Sequence, residues 1–212
     1  VPTASGELPN PNLRPENGFG RDLGIDWQPT RALAFNVRAF LNTIGDAIVT
    51  NIVSAVPSQV RSENAGSARA HGFDLDARYS PSGDLTVFAN VTSTRTRVSD
   101  PTNPDHDGTN IPFAPGEIAN LGVSSLVPGD VRASVYYHWV GRYYDSTSRT
   151  DRQTFGRFGL LNARLQKDLV KTASHQVRLT VDLNNITDRQ YLMPFDFRDP
   201  GFNGFVGLDV RY

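Results

Sequence analysis

The sequence predicts an all-β chain, an antiparallel transmembrane β-barrel segment, on three observations. Apolar and polar residues alternate with a period of two through nearly the whole chain. The alternating segments are long: Leu85 to Val98 and Val131 to Tyr144 both exceed the ~5 to 6 residues usual for soluble strands. Their connections are short at one end and long at the other, the pattern of membrane barrels with short periplasmic turns and longer extracellular loops.

The strands are predicted in order as follows. Phe19 to Trp27 closes on Gln28-Pro-Thr-Arg31, where proline presets a turn, and Leu33 to Val49 follows with alternation starting at Leu33 and Phe35. Asn51 to Arg69 reads as a long loop. Ala70 to Tyr79 sets Phe73, Leu75, Ala77 and Tyr79 against Asp74, Asp76 and Arg78, and it ends on the turn residues Ser80-Pro-Ser-Gly-Asp84. Leu85 to Val98 precedes the long connection Ser99 to Gly116. Glu117 to Leu126 and Val131 to Tyr144 are joined by Val127-Pro-Gly-Asp130. Beyond the loop Asp145 to Gly156 come Phe158 to Lys167, the connection Asp168 to His175, Gln176 to Ile186, the loop Thr187 to Asn203, and finally Gly204 to Tyr212.

Sorted by parity from Ala70 onward, one face collects Leu75, Val87, Leu121, Val135, Leu161, Val181 and Leu208 and carries no charge. The other collects Asp74, Asp76, Asn90, Asn120, His138, Arg164, Asp182 and Arg211. A charge at the bilayer midplane costs about 2 to 4 kcal/mol, so such segregation is expected where one face meets lipid. Tyr79 and Tyr212 fall at short-turn ends, and Trp139 and Tyr143 fall toward a long loop, as the two interfacial girdles require. A soluble β-sandwich also alternates, burying its apolar face inward, and is the competing architecture.

Composition narrows the function. The 212 residues carry a formal net charge of -1, which gives no footprint for nucleic acid. Cys is absent, removing disulfides and thiolate metal sites. A mean hydropathy of -0.38 is compatible with a barrel, in which only alternate residues face lipid. The longest weakly polar run, Ala47 to Val60, is interrupted by Thr50, Asn51, Ser54 and Pro57, so no helix long enough to span a bilayer is predicted. The start at Val1, without a signal-type segment, reads as a processed or partial chain.

The last residues, Gly204-Phe-Val-Gly-Leu-Asp-Val-Arg-Tyr212, alternate up to a terminal aromatic. This resembles the final strand of bacterial outer-membrane barrels. That likeness implies that Val206, Leu208, Val210 and Tyr212 form a signal for the barrel-assembly machinery. Asn10-Pro-Asn-Leu-Arg-Pro-Glu16 followed by Gly24-Ile-Asp-Trp27, then Ala70-His-Gly-Phe-Asp-Leu-Asp-Ala-Arg78, Ile111-Pro-Phe-Ala-Pro115 and Val181-Asp-Leu-Asn-Asn-Ile-Thr-Asp-Arg-Gln-Tyr191 occur in the order seen in one family. On these motifs the chain resembles the TonB-dependent receptors.

That resemblance implies a barrel of 22 strands, of which residues 1–212 would be the carboxy-terminal portion, with a plug domain and earlier strands elsewhere. It also implies TonB, outer-membrane lipid and a ferric siderophore-like ligand as partners, and a place in the outer membrane. An odd number of antiparallel strands cannot close on itself, because its first and last strands would run parallel. A passive porin-like or structural barrel is the alternative within the same strand pattern.

Ligands in that family are held by inward side chains and outer loops together with the plug. By parity and height, the candidates here are Arg142 and Tyr144, then Arg189 and Tyr191, with Arg149, Arg152 and Phe195 behind them. Asn103-Pro-Asp-His-Asp-Gly108 fits the opening of a calcium loop, but Ala114 stands where the bidentate carboxylate is due, so a solvated polar loop is the expectation. Asn90-Val-Thr92 and Asn185-Ile-Thr187 match a glycosylation pattern in the wrong context. No nucleophilic triad or phosphate loop has supporting context, so no enzyme, cofactor or metal is expected.

Overall fold

In a computed structural model, residues 6–55, 58–172 and 174–212 are described. The expectations placed on Val1 and Pro57 lie outside them. One sheet dominates, in the order β12, β11, β10, β7, β6, β5, β4, β3, β2. Its strands are β2 (Asn17–Thr30), β3 (Leu33–Ala55), β4 (Ser58–Tyr79), β5 (Leu85–Ser99), β6 (Glu117–Val127), β7 (Val131–Val140), β10 (Phe158–Lys171), β11 (Gln176–Asn184) and β12 (Asn203–Arg211). Each is antiparallel to its neighbours. A short β1 (Gly6–Leu8) adds in parallel to the outer part of β4, and β8 (Tyr143–Tyr144) pairs only with β9 (Thr154–Phe155).

Register aligns the faces across all these strands. Trp27, Phe35, Ala77, Ala89, Leu121, Tyr137 and Leu161 are successive partners in one row, and Val206, Val181 and Leu165 are partners in another. One residue away runs a polar row of Asp26, Asn36, Asp76, Asn90, Asn120 and His138. Its members bond sideways: Asn36 to Asp26, Asn90 to Asp76, and His138 Nδ1 to Asn120 Oδ1 at 2.8 Å. This polar row is the barrel wall that faces the lumen.

The location of apolar surface decides between barrel and sandwich. A sandwich would bury the apolar rows against a second sheet. Here Leu23 is 74% exposed and Val206 74%, and among the described residues the buried apolar side chains are Phe155 and Phe158, both at the long-loop end. Among the described residues the sheet is a single layer and none of them covers its apolar face, so lipid is the medium that fits it. Val206, Leu208, Val210 and Tyr212 lie on that face or at its rim, as expected, with Tyr212 97% exposed.

Short connections obey simple turn chemistry. Thr30 Oγ1 accepts the Ala32 and Leu33 N–H groups between β2 and β3. Gly129 at φ +85° lets the chain reverse between β6 and β7, with Asp130 at φ 57° beside it.

Three expectations need correction. Asn51 to Arg69 is not a loop: β3 and β4 continue as one hairpin to Ala55 and from Ser58, with Ile48 opposite Asn64 and Gly45 opposite Ser67. Beyond the membrane both faces of a hairpin meet water, so nothing enforces apolar alternation and its composition reads as a loop. The hairpin is also clasped from outside. Glu16 Oε1 accepts the Ile48 N–H at 2.7 Å, Asn64 bonds the backbone N–H and C=O of Arg14, and Arg14 pairs with Asp46 at 2.6 Å. The Asn10 to Glu16 motif therefore has a local structural use. Second, the strand expected over Val131 to Tyr144 breaks after Val140. Third, the strand expected to reach Ile186 stops at Asn184.

Candidate functional site

The break after Val140 builds the outer rim. Gly141 donates its N–H to the Glu117 carbonyl at 2.7 Å, and a Cβ at Gly141 would stand 2.3 Å from Glu117 Oε2. Gly156, at φ +84°, crosses against the Gly141 carbonyl, where a Cβ would stand 2.0 Å from that oxygen. Only two glycines pass this pinch. Beyond it the β8–β9 hairpin leaves the sheet and carries Tyr144 to the rim.

Two guanidinium groups approach the Tyr144 ring: Arg152 Cζ lies 3.9 Å from its centroid and Arg142 Cζ 5.7 Å. Arg152 Nη1 is buried without a hydrogen-bond partner. Gln153 N–H to Asp145 Oδ1, at 2.8 Å, closes the hairpin that folds Arg152 back over the ring. Arg142 and Tyr144 help line a cavity of about 540 Å³ together with Thr94, Arg95, Asn110, Glu117 and Arg157. Three arginines against one glutamate give this cavity a cationic lining. A cavity of about 680 Å³ lies far from it, on the polar wall near the short turns, between Asp26, Asp76, Arg78 and Phe88.

Of the candidates, Arg142, Tyr144 and Arg152 are therefore brought together. Phe195 is one step away: it stacks on Phe113 at 5.4 Å, and the Phe113 N–H donates to the Tyr144 carbonyl at 2.8 Å. Tyr191 stacks on the buried Phe158 at 4.1 Å, and burial pushes its phenol pKa up, with Asp199 and then Tyr143, the chain neighbour of Arg142 and Tyr144, adding to the effect. Arg189 is exposed on a separate turn whose backbone is tied to Asn185. Arg149 serves a loop contact. Arg95 and Arg157 were not among the candidates, and no sequence signal distinguishes them from other arginines at strand ends.

The loop tips interlock. Asp105 Oδ1 accepts the Arg149 and Thr150 N–H groups, each at 3.1 Å, and the Arg149 guanidinium donates to the Asp107 carbonyl. Hydrogen bonding from the Ser148 hydroxyl, then from Thr150 and Arg149, holds the Asp105 carboxyl below the usual carboxylate range. The side chains of the Asn103 to Gly108 segment are spent on this fold: Asn103 Oδ1 accepts the Asp105 N–H, and Asp107 Oδ1 the Asp100 N–H. Among the described residues no cluster of three or more His, Asp or Glu is arranged to hold a metal ion.

A depressed carboxylate contributes its stabilisation above the unfolded value and loses it as pH falls through the folded one. The interlock is thus expected to persist at neutral pH and to release below about pH 4. Asp105→Ala should release it at every pH. Protease nicking within 99–116 and 141–157, followed against pH, checks this, and pH-independent protection in both proteins would contradict it.

A one-layer antiparallel sheet with an apolar outer face, a hydrogen-bonded polar wall and a folded rim of long loops defines a segment of an outer-membrane barrel receptor. The family model for the TonB dependent receptor-like β-barrel matches residues 1–186, and the chain belongs to that family, whose members are transport receptors of the Gram-negative outer membrane. The ferrioxamine receptor of Yersinia enterocolitica is 22% identical over 183 residues, covering 85% of this chain and 25% of that protein. Among solved structures, the FrpB iron transporter of Neisseria meningitidis (F3-3 variant) superposes with a TM-score of 0.70 at 18% identity, covering 99% of this chain and 32% of that one. The copper transporter OprC gives 0.71 at 17% identity, covering 95% and 33%. The chain thus spans a quarter to a third of the length of these relatives.

Proposed function

We propose that this chain is the carboxy-terminal wall and rim of a TonB-dependent transport receptor that captures a ferric siderophore or similar scarce ligand at the cell surface. A plug domain and further strands would complete the receptor, and TonB would supply energy through that missing part. The observation that carries this reading is the Tyr144 ring approached by two guanidiniums, beside a cavity lined by Arg95, Arg142 and Arg157. Paired arginines and an aromatic face suit an anionic chelate with aromatic groups. Relatives named for ferrioxamine and iron agree with a ferric ligand. No catalytic role is assigned to any residue. Val206, Leu208, Val210 and Tyr212 are proposed as the strand read by the assembly machinery, since they present one apolar edge at the short-turn end.

Arg142→Ala with Tyr144→Ala in the full-length receptor should weaken binding of the transported ferric chelate at least tenfold at unchanged outer-membrane level. Iron-limited growth on that chelate should also need TonB. Uptake that persists without TonB would favour the passive porin reading, and unchanged affinity in the double variant would remove the rim site.

A further inference from the structure

Strand β5 hands the chain to the loop 99–116 at a buried carboxylate. Asp100 is 1% exposed. Its Oδ1 accepts the Thr102 N–H at 3.1 Å and the Thr102 hydroxyl at 2.6 Å, whereas among the described residues its Oδ2 has no hydrogen-bond donor. His106 Nδ1 stands 3.8 Å from that oxygen, beyond hydrogen-bond length but within reach of an ion pair. The His106 side chain is 29% exposed, so protons reach it from solvent.

A carboxylate oxygen held out of water without a donor is costly, and the imidazole beside it is the group that gains a proton near neutral pH. The neutral ring offers an Nδ1 proton in one tautomer only and carries no charge; the protonated ring donates from both nitrogens. A shift of about 1 Å brings Nδ1 to the ~2.8 Å of a charge-assisted bond. The other charges at this corner are placed already. Asp107 Oδ1 accepts the Asp100 N–H at 3.1 Å, Asp105 holds the Arg149 and Thr150 N–H groups, and the Arg149 guanidinium donates to the Asp107 carbonyl. Arg97 reaches in from β5, where a Cβ on Gly108 would stand 3.3 Å from its Nη2. Strand β4 makes an uncharged contact through Gly66, whose Cβ would stand 3.4 Å from Asp100 Cα. Asp100, Asp105 and Asp107 outnumber Arg97 and Arg149 by one, and a protonated His106 balances the corner.

We infer that His106 and Asp100 form a proton-operated latch. The protonated ring closes on Asp100 Oδ2 and pins the turn 103–109 to the end of β5. That turn is already bonded at its base: the His106 N–H donates to the Asn103 carbonyl at 3.0 Å, the Thr109 hydroxyl donates to the His106 carbonyl at 2.6 Å, and the Gly108 N–H donates to the Val98 carbonyl at 2.8 Å. Asp105, next in the chain to His106, carries the effect to the tip of the neighbouring loop at Arg149 and Thr150. Pairing favours the protonated ring, so the latch is closed on the acid side of the imidazole range and opens as pH rises through it. The Asp105 contact releases in the opposite direction, below about pH 4, so the two windows are separate. The latch does not depend on which ligand the receptor carries.

The test is hydrogen exchange of the full-length receptor in neutral detergent, read by mass spectrometry on peptides within 99–110 and 145–152. It is run at about pH 5.5 and about pH 8, either side of the ~6.5 of a free imidazole, with each rate divided by the intrinsic rate at that pH. Protection in both segments is expected to fall about tenfold at the higher pH, the gap between a charge-assisted and a neutral hydrogen bond. His106→Gln and Asp100→Asn should each abolish the difference, and should the buried Asn variant fail to insert, the half-exposed Gln variant still decides. His71, His138 and His175 lie on β4, β7 and the β10–β11 connection, so a response of theirs would survive in His106→Gln. No difference in the wild type, or the same difference in His106→Gln, would overturn the latch; a difference confined to 99–110 would overturn its link to the neighbouring loop.

Discussion

Val181→Arg is expected to lower the amount of full-length receptor inserted in the outer membrane by about 30-fold or more, while Thr180→Arg leaves it within about twofold. Val181 sits mid-strand on the apolar face, with Leu165 and Val206 as register partners. An arginine there meets hydrocarbon at a cost of about 2 to 4 kcal/mol, equivalent to about 30-fold to about 900-fold in an equilibrium. Thr180, one residue away, stands on the polar wall between Gln166 and Gly207, where a guanidinium finds water and acceptors. Heat-modifiable mobility of outer-membrane fractions measures the inserted form. Equal levels of the two variants would refute the assignment of faces.

The second large effect is expected at Asn185. This residue is 2% exposed and sits at φ 50°. Its Oδ1 accepts the Arg189 N–H at 2.9 Å, its Nδ2 donates to the Arg189 carbonyl at 3.0 Å, and its own N–H donates to Asn162 Oδ1 at 3.0 Å. Ala in its place loses both side-chain bonds and is forced into the left-handed region. These losses total about 3 kcal/mol, or about 100-fold in local opening. Gly loses the same bonds without the left-handed strain and should open about fivefold less. Hydrogen exchange at Ile186 and Arg189 reads the opening directly. Identical exchange in wild type, Ala and Gly variants would show that Asn185 does not hold this turn.

The same residue shows what a motif conveys and what it withholds. Asn184-Asn-Ile-Thr-Asp188 pointed to the family, yet its asparagines and aspartate fold a turn: Asp188 Oδ1 accepts the Phe202 N–H at 2.8 Å, linking the loop back toward β12. Tyr191, which follows in the motif, stacks on the buried Phe158. Asn10 to Glu16 behaves likewise, clasping the β3–β4 hairpin from outside. Both were legible as sequence patterns, whereas their bonding partners, Asn162 and Asn64, are distant in the chain and carry no local mark.

What the sequence determined by itself is the set of strands and their two faces. Period-two alternation is a local property, and a one-residue slip would put Asp182 or Arg164 into lipid, so charge placement fixes register without knowledge of the partner strand. What only the tertiary structure decided lies above the membrane. There water meets both faces, the penalty that enforces alternation vanishes, and residues 51–55 and 58–69 read as a loop although they pair as strands. The rim needed more still: Tyr144 meets Arg152 because Gly141 and Gly156 let two backbones cross, and that close approach depends on residues distant in the chain.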